Sequence, residues 1–334
     1  LKLNITEFGT TFNGEEVFLY NLKNEFVDLE IISLGGIIKS LKTSDKNGNF
    51  ENIVLGYKTL GEYEKNEYFY GCITGRVAGR TKDGILKIGN KIYELQKNNG
   101  GNNLHGGPNG LNAKVWKGDA KVSENKGILT LTYKSPHLEN GFPGEVDFKV
   151  IYTLEKNELK IEYFGDSDRD TYINLTNHTY FNLSGEAKYD IKEQFLKVNA
   201  EGYGWVDENT VPLKMEREDN FVNFENFQKL GDILQLSHKQ VEIVGGGIDH
   251  PFELSKKYNF DIELKDEESG RNIKVKSSEP VAVIYTGNFL DKKHNGICFE
   301  MQDYPDIFNF MPEKAKIYNN KIEYYTYTTF EFNN

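Results

Sequence analysis

The sequence predicts an all-β fold: a large antiparallel β-sandwich with a few short helices, built as one domain over residues 1–334. Three observations carry this expectation. Short runs of alternating apolar and polar residues recur along the chain, as half-buried strands require. The strand–helix–strand rhythm of a parallel nucleotide-binding sheet is missing. No Pro/Ser-rich linker or charge block divides the chain, and all-β domains often run past the usual domain length. Hydrophobic content is low at 38%, but 22 Phe and 20 Tyr supply bulky, strand-forming core material.

The elements follow in order. Asn47-Gly48 marks a tight turn before "FENIVLGY", and "KTLGEYEKNEYF" reads as a short helix. "GILKIGNKIYEL" is a hairpin turning at Gly89-Asn90, and "GILTLTYKS" is a strand. "VDFKVIYTLEKNELKIEYF" is a second hairpin, turning at Lys156-Asn157. "NLTNHTYFNLSG" has the Thr- and aromatic-rich look of a strand, with His178 near its middle. "FENFQKLGDILQL" reads as another short helix, "GICFEMQ" as a strand, and "KIEYYTYTTFEF" as a strand or hairpin.

Composition excludes some functions. A net charge of -11 and a pI near 5.2 argue against nucleic acid or an anionic membrane as a partner. No apolar run approaches the roughly 20 residues that span a bilayer. "LKLNITEFGTTFNG" lacks the apolar core of a signal peptide, so a cytoplasmic location is expected; the start at Leu1 leaves open an upstream segment that has been removed. Cys72 and Cys298 make neither a disulfide scaffold nor a thiolate metal site. The sequons at Asn4, Asn174, Asn177 and Asn182 read as chance in a Thr/Asn-rich chain.

Of six histidines, His105 in "NNLHGGPNG", His178 and His250 in "GGGIDHPF" sit among residues suggestive of a site, whereas His137, His238 and His294 read as solvated loop residues. The glycines after His105 would let a ligand approach the backbone. Asp249 follows three glycines and reads as a turn former unless other groups converge on it. Glu300, between Phe299 and Met301, faces either solvent or a cleft; in a cleft, desolvation would make it a stronger base. Arg76 and Arg80 in "GRVAGRTKDG" are candidates for binding hydroxyls or anions.

Taken together, the arginine, the His of "LHGG", the His of "NHTYFNL", Asp-His and Glu-x-Gln follow one another in an order that resembles the aldose 1-epimerase family, also called galactose mutarotases. The likeness runs from "GGIIKSL" through "NIVLGY" and "YTGNFLD" to "YTYTTFEF", nearly the whole chain. It implies a galactose mutarotase-like β-supersandwich with an open cleft. The implied activity exchanges the α and β anomers of a free aldohexose, with no cofactor and no metal. His178 then matches the acid that protonates the ring oxygen, and Glu300 the base that takes the C1 hydroxyl proton. Arg80, His105 and Asp249 match positions that hold sugar hydroxyls or steady the opening ring. That chemistry starts from carboxylate Glu300 and protonated His178. Phe181, Tyr180 and Tyr304 are candidates for packing on the pyranose, none assigned individually. The chain departs from many relatives at Gly79, where they have Asn, and from some at Val283, where they have Gln.

Other readings compete. A glycoside hydrolase would use Asp249 and Glu300 as its two carboxylates and leave His178 without a role. A noncatalytic carbohydrate-binding protein or a phosphosugar epimerase could share the fold. A metal-dependent isomerase would take His105, His178 and Glu300 as ligands, although no closely spaced ligand pair is present. The preferred aldose and the oligomeric state stay open.

Overall fold

The computed structural model describes residues 1–217 and 226–334. Among these residues the strands form three large sheets, of five, nine and six strands, and three two-stranded ribbons. Every pairing between named strands is antiparallel.

The five-stranded sheet is a meander over the first 52 residues. The nine-stranded sheet is built around the predicted hairpin, Val146–Glu155 and Glu158–Ser167. Its alternation works as the sequence implies. Val150, Tyr152 and Leu154 lie opposite Tyr163, Ile161 and Leu159, and all six are buried on one face. Burying each such side chain contributes about 1.5–3 kcal/mol, so the inward row outweighs any single turn in setting register. Lys156 takes the left-handed conformation the tight turn needs, at φ 51°, and Asn157 Nδ2 donates to the Phe332 carbonyl at 2.9 Å. The C-terminal strand Tyr324–Asn333 lies between Glu158–Ser167 and Asn272–Ser277 in the middle of this sheet.

The six-stranded sheet runs in the order Tyr180–Phe181, Ile297–Gln302, Val281–Tyr285, Asp249–Leu254, Ala200–Val206, Pro212–Glu216. Phe252, Ala282, Ile284, Phe299 and Met301 face the main hydrophobic core, which draws residues from Tyr20 to Phe332. The opposite face carries the site.

The Gly89-Asn90 hairpin and the turn at Asn47-Gly48 form as expected. The first expected helix is Leu60–Lys65, whose Glu62 Oε2 accepts the Thr59 amide at 2.9 Å. The second appears as Leu230–Ile233, while Phe224 and Glu225 of that stretch lie outside the described residues. Two more short helices, Lys239–Ile243 and Ile307–Phe310, have too few turns to show a periodic pattern. No helix among the described residues is long and apolar enough to cross a membrane.

"NLTNHTYFNLSG" is not one strand. Thr176–Asn177 pairs with Ile73–Thr74, the chain then leaves that ribbon, and Tyr180–Phe181 joins Ile297–Gln302. His178 sits at the switch. The polar residues around it hold the switch closed. Asn177 donates to the Gly71 carbonyl at 2.9 Å and accepts from the Thr179 amide at 3.1 Å. Asn182 donates to the carbonyls of Tyr189 and Asn295 at 2.7 and 2.8 Å. Asn174, Asn177 and Asn182 are buried, so in the folded chain these three sequons are structural and closed to glycosylation.

Candidate active site

A cleft of about 530 Å³ opens on the outer face of the six-stranded sheet. Register explains its floor. Asp249 lies opposite Tyr285, Pro251 opposite Val283, and Val283 opposite Glu300, so Asp249, Val283, Tyr285 and Glu300 project from one face. His250, the next residue after Asp249, therefore points the other way. It is fully buried, with Nε2 3.1 Å from Gln240 Oε1, so this histidine braces the sheet and lies outside the cleft.

The cleft gathers all five residues named from the resemblance: Arg80, His105, His178, Asp249 and Glu300. His178 Nε2 is 3.5 Å from Glu300 Oε1, and both side chains are about 5% exposed. The His105 ring stands edge-on to the His178 ring, with centroids 5.2 Å apart. Arg80 is held by Asn99, whose Oδ1 accepts from its Nε at 3.1 Å. Arg76, the other arginine considered, is elsewhere. Its buried guanidinium donates to the carbonyls of Pro143 and Gly144 and to Ser135 Oγ, tying down the 135–144 loop.

The His105 loop corrects one expectation. Its glycines serve chain packing and not ligand approach: a Cβ on Gly106, at φ 90°, would fall 2.0 Å from the Gly75 carbonyl oxygen. His105 itself is left-handed at φ 51°, an uncommon conformation for a side chain of this size. Its backbone and ring are both fixed by Gly79. The His105 amide donates to the Gly79 carbonyl at 3.0 Å, and the Gly79 amide donates to His105 Nδ1 at 3.2 Å. With Nδ1 an acceptor, the proton of the neutral ring belongs on Nε2. Burial lowers the pKa of His105 well below its ordinary value, helped by His178 and Arg80, and so keeps it neutral.

Burial also shifts both members of the acid–base pair. It raises Glu300 to about 8, assisted by the charge of Asp249 and opposed by Arg80. It lowers His178 to about 4, opposed by hydrogen bonding to its own backbone. Burial raises Asp249 as well, against the pull of Arg80. Burial therefore works against the expected starting state, carboxylate Glu300 beside protonated His178. Moving the one proton from His178 to Glu300 leaves the pair uncharged, the arrangement that burial favours.

Of the aromatic candidates only Tyr180 lines the cleft, its ring 5.1 Å from that of His178. Phe181 points into the core against Phe299 and Phe330, and the Tyr304 hydroxyl donates to Glu253. Sequence reasoning did not single out Tyr68, Phe69, Asn99 or Phe289, which also line the cleft. Tyr68 and Phe69 share one loop, and Asn99 and Phe289 come from two others, with no local pattern. Asn99 lay within "NNGGNN" but had no partner there to give it a role.

The His105, His178 and Glu300 ligand atoms lie within 4.8 Å of one another, the grouping the metal-dependent reading requires. The donor set does not suit it. The Gly79 amide occupies the Nδ1 lone pair of His105 and leaves a protonated Nε2, which cannot ligate without becoming an imidazolate.

The family model for aldose 1-epimerase matches residues 19–329. The galactose mutarotase of Rattus norvegicus is 33% identical over 331 residues, 95% of this chain and 94% of that one. The aldose 1-epimerase of Haemophilus influenzae is 31% identical, covering 97% of this chain and 98% of its own. The crystal structure of galactose 1-epimerase from Lactobacillus acidophilus superposes with a TM-score of 0.89 at 27% identity, covering 100% and 99% of the two chains. This chain belongs to the aldose 1-epimerase family.

Proposed function

We propose that this protein interconverts the α and β anomers of a free aldohexose such as galactose or glucose, with Glu300 and His178 moving the two protons. The observation that carries the reading is the His178–Glu300 contact of 3.5 Å, wholly buried at the floor of a sugar-sized cleft. Glu300 takes the C1 hydroxyl proton, the electron pair forms the C1 carbonyl, the bond from C1 to the ring oxygen breaks, and that oxygen takes a proton from His178. Rotation about C1–C2 turns the aldehyde, and closure with both transfers reversed gives the other anomer. Arg80, the His105 Nε2–H and Asp249 hold hydroxyls and orient the ring.

The pKa shifts fit this cycle. Ring opening converts carboxylate and imidazolium into carboxylic acid and imidazole. Burial favours that uncharged pair, so the proton state that accompanies the open aldehyde is the one the cleft stabilises.

Competing readings fare worse. A glycoside hydrolase gives no work to a histidine beside the catalytic carboxylate. A phosphosugar needs cations, yet Arg80 is the one Lys or Arg among the described lining residues, against Glu67, Glu208, Asp249 and Glu300. A pure binding module does not require a buried acid–base contact. We also read residues 1–334 as one domain; the central position of the C-terminal strand and the shared core support this.

Polarimetry of freshly dissolved α-D-galactose and α-D-glucose tests the function. Equilibrium should be reached faster with protein, and equally fast in EDTA. No acceleration with any common aldose would leave the binding-module reading; loss of activity in EDTA would restore the metal reading.

A further inference from the structure

We infer that Cys298 is a positioning residue for His178, its Sγ lying 3.5 Å from Nδ1 and holding the imidazole with Nε2 turned to Glu300. This rests on the reading of His178 as the acid. The geometry comes from the sheet. Cys298 and Glu300 are two residues apart on one strand, so both side chains project from the cleft face. Cys298 lies directly opposite Tyr180, two residues after His178. The pairing that brings Glu300 to the floor of the cleft thus also sets a thiol beside the histidine ring.

The His178 backbone is already pinned: its amide donates to the Cys72 carbonyl at 2.8 Å, and its carbonyl accepts from the Gly71 amide at 3.0 Å. What remains free is ring rotation. The rings of Tyr180, His105 and Phe69, at centroid distances of 5.1, 5.2 and 5.9 Å, restrict the plane but do not distinguish the two ring edges. Polar contact at both nitrogens does distinguish them, with Glu300 at Nε2 and Cys298 at Nδ1.

The chemistry favours a weak partner here. When imidazolium gives its Nε2 proton to the ring oxygen, the neutral ring keeps its other proton on Nδ1, which needs an acceptor. When the proton is on Nε2 instead, Nδ1 needs a donor. A thiol can be either, weakly. A carboxylate in that position would hold the imidazolium firmly and make it a poorer acid. Burial, with Glu300 and Asp249 nearby, holds the Cys298 thiol protonated, so it adds no charge of its own. The titratable groups that face the ring are Glu300, His105 and Tyr180, and Arg80, Asp249, Glu67, Glu208, Tyr68 and Tyr285 also line the cleft.

Cys298→Ala and Cys298→Ser in the full chain test this by three readouts: the split between kcat and KM, the acid limb of the pH profile, and the ¹⁵N shifts of the His178 ring nitrogens. One neutral hydrogen bond is worth about a two- to tenfold change. Cys298→Ala should lower kcat by that factor, with KM unchanged, and move the ¹⁵N shifts towards a tautomer mixture. Cys298→Ser, with a stronger donor and acceptor, should recover kcat and move the acid limb to higher pH. Unchanged ring shifts and unchanged kcat in folded Cys298→Ala overturn the inference, as does a change in KM alone. Should Cys298→Ala fail to fold, the acid limb and ¹⁵N shifts of Cys298→Ser decide. If His178→Asn keeps full kcat, the acid assignment fails separately, and the ¹⁵N readout still reports on the thiol.

Discussion

Replacing Glu300 by glutamine removes the proposed base and keeps the shape of the side chain. A positioned general base contributes about 10²- to 10⁴-fold, so kcat should fall by at least about 10². His178→Asn should cost about as much. Because the two groups lie 3.5 Å apart and pass a proton through one substrate, they act as a unit. The double variant should therefore be little worse than either single one, whereas independent groups would multiply to about 10⁴ or more. Stability gives a second, independent check. Glu300 has a folded pKa of about 8 against an ordinary 4.5, so the folded chain binds the extra proton more tightly than the unfolded chain. Its stabilising effect is complete below about 4.5 and is lost as pH rises through about 8. His178, lowered to about 4 from 6.5, acts in the opposite sense: its contribution is present above 6.5 and is lost as pH falls through about 4. Between 6.5 and about 8 only the Glu300 loss operates at this pair, on the order of 2 kcal/mol at about 1.4 per pH unit. Glutamine does not titrate, so the Tm of the Glu300→Gln protein should fall less than that of the parent over this range. Glu279, also raised to about 8 by burial and Asp303, titrates in both proteins and cancels in the comparison. Polarimetry, corrected for spontaneous mutarotation, gives the rates. Near-full kcat in Glu300→Gln, or strictly multiplicative losses, would refute the shared proton path; parallel Tm–pH curves would refute the buried-acid state.

The pH profile of kcat/KM should be bell-shaped with limbs near 4 and 8, the acid limb marking His178 and the alkaline limb Glu300. A flat profile, with chemistry shown to be rate-limiting, contradicts it. Arg80→Ala should raise KM and lower kcat together, since Arg80 lines the cleft and bears electrostatically on both Glu300 and Asp249; an effect on KM alone would confine it to binding. Gly79 and Val283 both line the cleft, so Gly79→Asn with Val283→Gln should lower KM about two- to tenfold for each new hydrogen bond to the sugar and leave kcat nearly unchanged. Gly79 has φ 73°, which Asn tolerates better than most residues, and a Cβ there would meet Pro305 at 3.3 Å and Gln302 at 3.4 Å, a fit that needs a small shift. Unchanged KM in the folded double variant means that these positions do not touch the sugar.

Much of the fold was legible because antiparallel strands advertise themselves locally. The hairpins turning at Gly89-Asn90 and Lys156-Asn157 each place both strands and their turn within about 20 residues. What sequence could not supply was the break at His178, since Thr176, Tyr180 and Phe181 favour strands and the interruption comes from pairing with two distant partners. The site residues were named through family resemblance; residue chemistry alone left Glu300 and Asp249 open. Register closes that question. Once Val283 pairs with Glu300 and Tyr285 with Asp249, both carboxylates must face the cleft, and His250 must face away.

Charge state was the part least written in the chain. A carboxylate and a histidine read from sequence take their ordinary ionisations, which give an ion pair ready to act. Wholly buried, the same two groups favour neutrality, and the proton moves to the carboxyl. The consequence reaches the mechanism. The charged pair that begins ring opening is the arrangement that burial disfavours, and opening the ring discharges it. A cleft wet enough to keep Glu300 and His178 charged would hold the charged arrangement more firmly and gain less as the ring opens from it; in the buried cleft the gain on opening offsets the cost of first forming the charged pair.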